Sequence, residues 1–197
     1  MHSFFRVRAL MHLLLVLLAL AALCYSRVEV DDDSGQQITG TNVWIGNEFA
    51  ANNSAWLKEA SITHIISAIG EPRQGRIEGL TYVTLDLRDD GNSVLPYIYE
   101  VHEYLTKSAD PVTSRVLIYC GAGASESATL VAGHLMLSDW GLDADDAIER
   151  VKSVRPIVNP SAGFLSDLYE LDTNIYVMAL NETTRFGDYI SQLKEEL

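Results

Sequence analysis

Cysteine and basic residues are both scarce in this chain of 197 residues, which has two Cys and 14 Lys+Arg against 27 Asp+Glu. Two Cys residues cannot build a disulfide framework or a four-thiolate zinc site. The formal charge of −13 argues against a surface that coats nucleic acid or anionic lipid, because both are polyanions. With 48% hydrophobic residues, the chain is not a disordered acidic tail. The composition predicts one acidic, soluble domain.

The N-terminus has an apolar run that is too short for a typical membrane span. The run from Leu13 to Leu23 follows Arg6 and Arg8, and a spanning helix needs about 20 apolar residues. This pattern predicts a signal peptide over residues 1–26, and hence a protein of the secretory pathway or a secreted one. The alternative is an uncleaved membrane anchor through residues 9–25. The sequons at Asn52 and Asn181 support secretion only weakly.

Beyond this segment, short β-rich runs alternate with helical patterns. Residues 27–40 are interpreted as an acidic, solvated linker, because Asp31–Asp33 stand together in them. The runs 43–45, 62–66, 82–85 and 116–119 predict strands. The intervening patterns predict helices over 48–60, 95–105, 127–137, about 143–155, 162–176 and 184–197. Such alternation predicts a single α/β domain over 41–180, with a mostly parallel central sheet flanked by helices and a C-terminal amphipathic helix over 181–197.

Two of these predictions concern particular side chains. The helix over 48–60 is expected to turn Phe49, Trp56 and Leu57 inward. Asp143 is expected to cap the helix that follows it.

The segment around Cys120 carries the clearest chemical signal. An apolar strand, Val116–Tyr119, runs through Cys120 into a loop of small residues, and the loop opens an apolar helix. The backbone N–H groups of such a loop and the positive end of the helix form an anion cradle of phosphate size. A cysteine at the first position is placed where that field favours a thiolate nucleophile. The alternative is a buried structural cysteine at a tight turn between a strand and a helix.

The same segment resembles the signature of the dual-specificity branch of the cysteine-dependent protein tyrosine phosphatases. That signature is His-Cys, two or three small residues including Ala-Gly, then Ser-Arg-Ser and an apolar helix. The resemblance spans about residues 41–172. Its further matching segments are 44–47, 57–65, 82–89, 154–160 and 163–164.

The resemblance implies a role for each matching residue. Cys120 takes the position of the nucleophile, and Ser127 that of the hydroxyl that bonds to the thiolate. Asp89 takes the position of the general acid, with Asp86 and Asp90 as alternatives. The ligand-binding loop then consists of Gly121, Ala122, Gly123, Ala124 and Ser125. No cofactor is implied.

No metal site is assigned from the sequence. His102 and His134 lie in helical segments with no second ligand nearby along the chain.

Two residues depart from the signature. Glu126 occupies the position of the arginine that clamps the phosphoryl oxygens, and Tyr119 occupies that of the histidine. An arginine supplied to a phosphoryl-transfer centre is worth about 10³–10⁵ in rate. A carboxylate about 4 Å from a phosphate costs roughly 4 kcal/mol for each unit of like charge at an effective dielectric near 20. The sequence therefore predicts a pseudophosphatase, a protein that keeps the family fold and acts by binding.

Two other functions stay open at this stage. The first is an active phosphatase with reduced or redirected activity. In it, Arg88 swings into the site or a protonated Glu126 hydrogen-bonds to phosphate. The two other candidate arginines, Arg115 and Arg155, are interpreted as structural. The second is a redox or dimer-forming role for Cys120. The expected partner is a phosphoprotein or another protein at the loop, with no nucleic acid, and with a membrane only if the N-terminal segment is retained.

Overall fold

The computed structural model describes residues 33–110 and 112–195, and over 181–195 it describes the backbone alone. The predicted signal peptide or anchor at 1–26 lies outside the described residues. Within the described ranges, every helix is too short or too polar to cross a membrane.

A five-stranded sheet forms the centre of the fold, in the order β1-β2-β5-β3-β4. The strands are β1 (Gln36–Gln37), β2 (Val43–Asn47), β3 (His64–Ser67), β4 (Thr81–Thr84) and β5 (Val116–Cys120). β2, β5, β3 and β4 run parallel, and β1 pairs antiparallel with β2 at the edge. The prediction of a mostly parallel sheet in a single α/β domain is thereby confirmed.

Helices cover both faces of the sheet. They are α1 (Glu48–Asn52), α2 (Ser54–Glu59), α3 (Leu95–Glu103, continued by a π-helical turn over Tyr104–Ser108), α4 (Glu126–Ser138), α5 (Ala144–Lys152) and α6 (Ala162–Glu195). Asp143 caps α5 as predicted, because its side chain accepts a hydrogen bond from the Asp146 N–H at 2.8 Å.

All five residues of β5 are buried, because hydrophobic clusters lie on both faces of the sheet. Ile118 and Cys120 belong to the larger cluster, which includes residues of α3, α4, α5 and α6. Leu117 and Tyr119 belong to the smaller cluster, with Leu57 from α2. The period of two along the strand therefore turns Cys120 toward the helix that follows its loop.

The helix predicted over 48–60 is in fact two helices. At Asn53 the backbone leaves the helical region, with φ −83° and ψ 86°, and the Asn53 side chain accepts a hydrogen bond from the Trp56 N–H at 3.1 Å to start α2. Because of this break, α1 and α2 run in different directions. Leu57 is buried and Trp56 packs against the smaller cluster, but Phe49 is 66% exposed, so its predicted burial is wrong.

Two predicted boundaries also need correction. Residues 36–38 are part of the domain and not of a linker over 27–40, because β1 pairs with β2 and Ile38 is fully buried. The acidic residues before them concealed this short edge strand. The helix predicted over 181–197 is continuous with the one before it, since no Gly or Pro interrupts the chain between 176 and 184. Its amphipathic face lies outside the described side chains.

His102 and His134 meet between α3 and α4, although 32 residues separate them. Their Nδ1 atoms are 3.2 Å apart, so one ring donates a hydrogen bond to the other through these nitrogens. Burial, followed by the charge of His102, lowers the pKa of His134 to about 4. The His134 ring of the folded protein is therefore neutral at pH 7.

This pair makes stability depend on pH. The ordinary histidine pKa is 6.5, so residue 134 of the unfolded chain takes up a proton as the pH falls below that value. In the folded protein, His134 takes up this proton only near pH 4. We expect the free energy of unfolding to fall between these values by up to about 3 kcal/mol through this residue. Urea unfolding at pH 7 and pH 4.5 measures the change. It should shrink strongly in His134→Gln and less in His64→Gln, because burial also lowers the pKa of His64. An equal change in all three proteins would contradict the assignment.

Candidate active site

The loop of residues 121–125 lies at the carboxyl end of β5, between two parallel neighbours, and leads directly into α4. The carboxyl ends of parallel strands are the edge at which α/β proteins bind ligands. The loop is joined to the start of α1, just after the neighbouring strand β2, because the Glu48 N–H donates a hydrogen bond to the Gly121 carbonyl at 3.3 Å. The strand, the loop and the helix thus have the arrangement that the sequence predicted.

Cys120 lies beneath this loop with its side chain fully buried. Its Sγ accepts hydrogen bonds from the Gly123 N–H at 3.2 Å and from the Ser127 hydroxyl at 3.2 Å. The contact with Ser127 is the one that the family resemblance implied. Both donors suit a thiolate, so the groups that would hold a nucleophile are in place.

Arg155 holds the loop from its underside. It is fully buried, and it donates hydrogen bonds to the carbonyls of Gly123 at 2.7 Å and Ala122 at 2.8 Å and to the Gln36 side chain at 2.6 Å. The Asn159 N–H adds a hydrogen bond to the Ala124 carbonyl at 2.8 Å. The segment after α5 therefore draws three successive loop carbonyls to one side. The sequence identified Arg155 as structural but not as a support of the loop.

Gly123 is required by both conformation and space. Its φ is +68°, and a Cβ atom there would lie 2.5 Å from the Gly46 carbonyl oxygen and 2.8 Å from the Arg155 Nε. Close packing of the loop against β2 is therefore possible only without a side chain.

A cleft of about 340 Å³ opens above the loop. Its lining residues are Glu48, Ile69, Glu71, Pro72, Arg73, Tyr119, Gly121, Ala122 and Glu126. Three carboxylates thus face one guanidinium. Burial raises the pKa of Tyr119, so the residue that replaces histidine stays neutral and adds no positive charge. The cleft is acidic, whereas the cleft of a phosphatase must attract a dianion.

The three carboxylates differ in their partners. Glu48 lies 3.7 Å from Arg73, and Glu71 pairs with Arg76 at 2.7 Å, which lowers the pKa of Glu71. Glu126 is partly exposed and has no basic partner among the residues that the structure describes. It therefore presents its charge to the cleft.

The candidate acids lie on the loop after β4, and all three are exposed. Asp89 lies beside the start of α6, since a Cβ atom on Gly163 would be 3.0 Å from its Oδ1. Asp86 pairs with Arg88 at 2.6 Å, which lowers the pKa of Asp86. Asp90 accepts hydrogen bonds from the Asn92 N–H at 3.1 Å and from the Asn92 side chain at 2.8 Å.

Arg88 is directed away from the acidic cleft. Together with Asp86 and Asp90 it lines a second cavity of about 260 Å³, which neither Cys120 nor Glu126 lines. The described residues also contain no group of three or more His, Cys, Asp or Glu side chains placed to hold a metal ion.

Comparisons with known proteins agree on one protein family. Residues 43–174 match the model of the dual specificity phosphatase catalytic domain. Dual specificity protein phosphatase 1 of Arabidopsis thaliana is 27% identical over 146 residues, which cover 74% of this chain and 73% of that protein. Dual specificity protein phosphatase 18 of Homo sapiens is 31% identical over 140 residues, 71% and 73% of the two chains.

A solved structure matches over a similar extent. The human tyrosine phosphatase-like serine/threonine/tyrosine-interacting protein has a TM-score of 0.64 and 25% identity, over 74% of this chain and 99% of that one. Several other relatives are much longer, and the chain spans only 18–19% of their length.

The support beneath the loop can be tested with two glycines that differ in backbone conformation and in the space around them. Gly123→Ala forces a positive φ on alanine and a clash with the Gly46 carbonyl, so we expect the free energy of unfolding to fall by about 2–4 kcal/mol. Gly121→Ala is the matched control, because its Cβ atom would have open space. Denaturant unfolding of both variants checks this, and equal losses would contradict the described packing of the loop.

Proposed function

The chain belongs to the dual specificity phosphatase family, and we propose that it is a catalytically impaired member, a pseudophosphatase, which acts by binding a protein at its cleft. The observation that carries the proposal is Glu126, which lines the cleft where the family places the phosphate-clamping arginine. The function is then binding by the loop and its surroundings, without efficient phosphoryl transfer.

Electrostatics is the main support for this proposal. Phosphoryl transfer is catalysed chiefly by positioning and by positive charge on the equatorial oxygens of phosphorus. Glu126 removes one such charge and adds a negative one, and each change is worth several kcal/mol at contact distance in a partly buried site. Since about 1.4 kcal/mol is a factor of ten in rate, the loss amounts to several orders of magnitude.

The surroundings of Glu126 support the same proposal. Arg88 is the alternative cation that the sequence suggests for this site. It is paired with Asp86 outside the cleft. Arg73 does line the cleft, but it lies beside Glu48 and its side chain is 82% exposed. The Cys120 side chain is fully buried and is not part of the cleft wall.

One relative also agrees with a binding role. The human tyrosine phosphatase-like serine/threonine/tyrosine-interacting protein, which shares 25% identity with this chain, is named for its interaction. A structural neighbour that is named for an interaction supports a binding role for this domain.

The competing function is an active phosphatase of low or redirected activity. It is favoured by the intact geometry below the loop, where the Gly123 N–H and the Ser127 hydroxyl still bond to Cys120 Sγ. Asp89 at the entrance to α6 would then be the general acid, and a protonated Glu126 would donate a hydrogen bond to phosphate. This function requires activity that rises at low pH and depends on Cys120.

Reversal of the charge at residue 126 tests the proposal. We expect wild-type protein to hydrolyse para-nitrophenyl phosphate no faster than Cys120→Ser at any pH from 4 to 8. Glu126→Arg should raise kcat/KM at least about 10³-fold, because the loop and Arg155 already have the required arrangement. Turnover by the wild type that disappears in Cys120→Ser would contradict the proposal. An inert Glu126→Arg would show that the loss is not local to this residue.

We further propose that the protein enters the secretory pathway through residues 1–26. The apolar run from Leu13 to Leu23 supports this location. Expression of the full chain in a eukaryotic cell should give secreted protein whose N-terminal residue is Arg27. Recovery of the protein in the membrane fraction with Met1 retained would support an anchor and contradict cleavage.

A further inference from the structure

The cleft above the loop has two properties that bear on its partner. Glu126 supplies a carboxylate with no basic partner among the described residues, whereas Glu48 and Glu71 each lie near an arginine. Ile69, Pro72 and Tyr119 add an apolar wall to the same cleft. A ligand that fits both must carry positive charge on an apolar stem.

An exposed aromatic residue adjoins in sequence a residue that lines this cleft. Phe49 follows Glu48, which lines the cleft, and it is 66% exposed. The helix break at Asn53 explains why the residue is free of the core, but burial within this domain does not account for a phenylalanine there. Aromatic residues are enriched where proteins contact one another, so Phe49 points to a polypeptide partner.

We propose that this cleft and Phe49 form a docking surface for a basic segment of a partner protein, with an Arg or Lys side chain opposite Glu126 and an apolar side chain against Phe49. The proposal rests on the binding role given above, and it names the chemistry of the partner. Charge complementarity selects the occupant. Arg73 and Arg76 lie near Glu48 and Glu71, but the carboxylate of Glu126 has no basic partner among the described residues, so the cleft repels a phosphorylated segment and attracts a cationic one. The chain's charge of −13 adds long-range attraction for the same class of partner.

The geometry also fits an arginine or a lysine better than a small free cation. Both side chains have an aliphatic stem that can lie along Ile69 and Pro72 while the charged head reaches a carboxylate. A guanidinium can also bond to a carboxylate through two parallel N–H groups, which gives direction as well as charge. Phe49 would contact a neighbouring residue of the partner segment, which a free cation lacks.

Selection from a random peptide library on the immobilised full chain tests this proposal without a known partner. We expect the selected peptides to be enriched in Arg or Lys beside an apolar residue. Binding of a selected peptide, measured by fluorescence anisotropy, should weaken at least about tenfold in Glu126→Gln, since a charge-assisted hydrogen bond is lost. Glu59→Gln is the matched control, because Glu59 is exposed and lies outside the cleft.

The aromatic contact has its own pair of variants. Phe49→Ser should weaken peptide binding at least about threefold. Trp140→Ser should leave it unchanged, because it removes a side chain that is 57% exposed in the turn after α4. Replacing the Arg of the peptide by citrulline, which has no charge, should reduce binding as much as Glu126→Gln does.

Two outcomes would overturn the proposal: selection of neutral, acidic or no peptides, or binding that is equal in wild type and Glu126→Gln. The phosphatase assay on the same protein separates this failure from failure of the proposed function. An inactive protein that selects no basic peptides would contradict the docking proposal alone, whereas Cys120-dependent turnover would contradict the proposed function.

Discussion

The buried guanidinium of Arg155 is the interaction on which the site depends. It bonds to the carbonyls of Ala122 and Gly123 and so fixes the loop from below, while the Gly123 N–H bonds to Cys120 Sγ. A buried charge is costly unless it is hydrogen-bonded, and these bonds satisfy it. The loop therefore keeps its shape through groups beneath it, independently of residue 126. Under the proposed function, this separation explains how the chain can lack the phosphate clamp and still retain the fold of the family.

The carboxylate at residue 126 suits the helix while it opposes phosphate binding. Glu126 is the first residue of α4, and an acidic side chain in the first turn of a helix stabilises it by about 0.3–1 kcal/mol. An arginine in that place would be unfavourable for the helix but favourable for a bound dianion. On this account, the exchange replaces attraction for an oxyanion by attraction for a cation within the same scaffold.

The sequence predicted the parts of the fold that depend on local pattern. Val116–Cys120 is uniformly apolar, and a strand of that kind is buried on both faces; Asp143 is a capping residue, and it caps α5. The prediction failed for Phe49, because the backbone of Asn53 ends one helix and its side chain caps another, which a hydrophobic period does not reveal. It also missed β1, since two glutamines carry no strand pattern and are held by pairing with β2 and by the bond of Gln36 to the distant Arg155. The contact between His102 and His134 and the support of the loop by Arg155 depend on distant segments of the chain, so neither could be predicted from spacing.

The most direct test of the central claim is the affinity of the unmodified full chain for tungstate, an oxyanion that mimics phosphate, measured by isothermal titration calorimetry. Because Glu126 lines the cleft and its carboxylate has no basic partner among the described residues, the account predicts no saturable binding at millimolar tungstate. Saturable binding with a micromolar Kd would contradict it, since the cleft would then attract the ion that Glu126 is argued to repel.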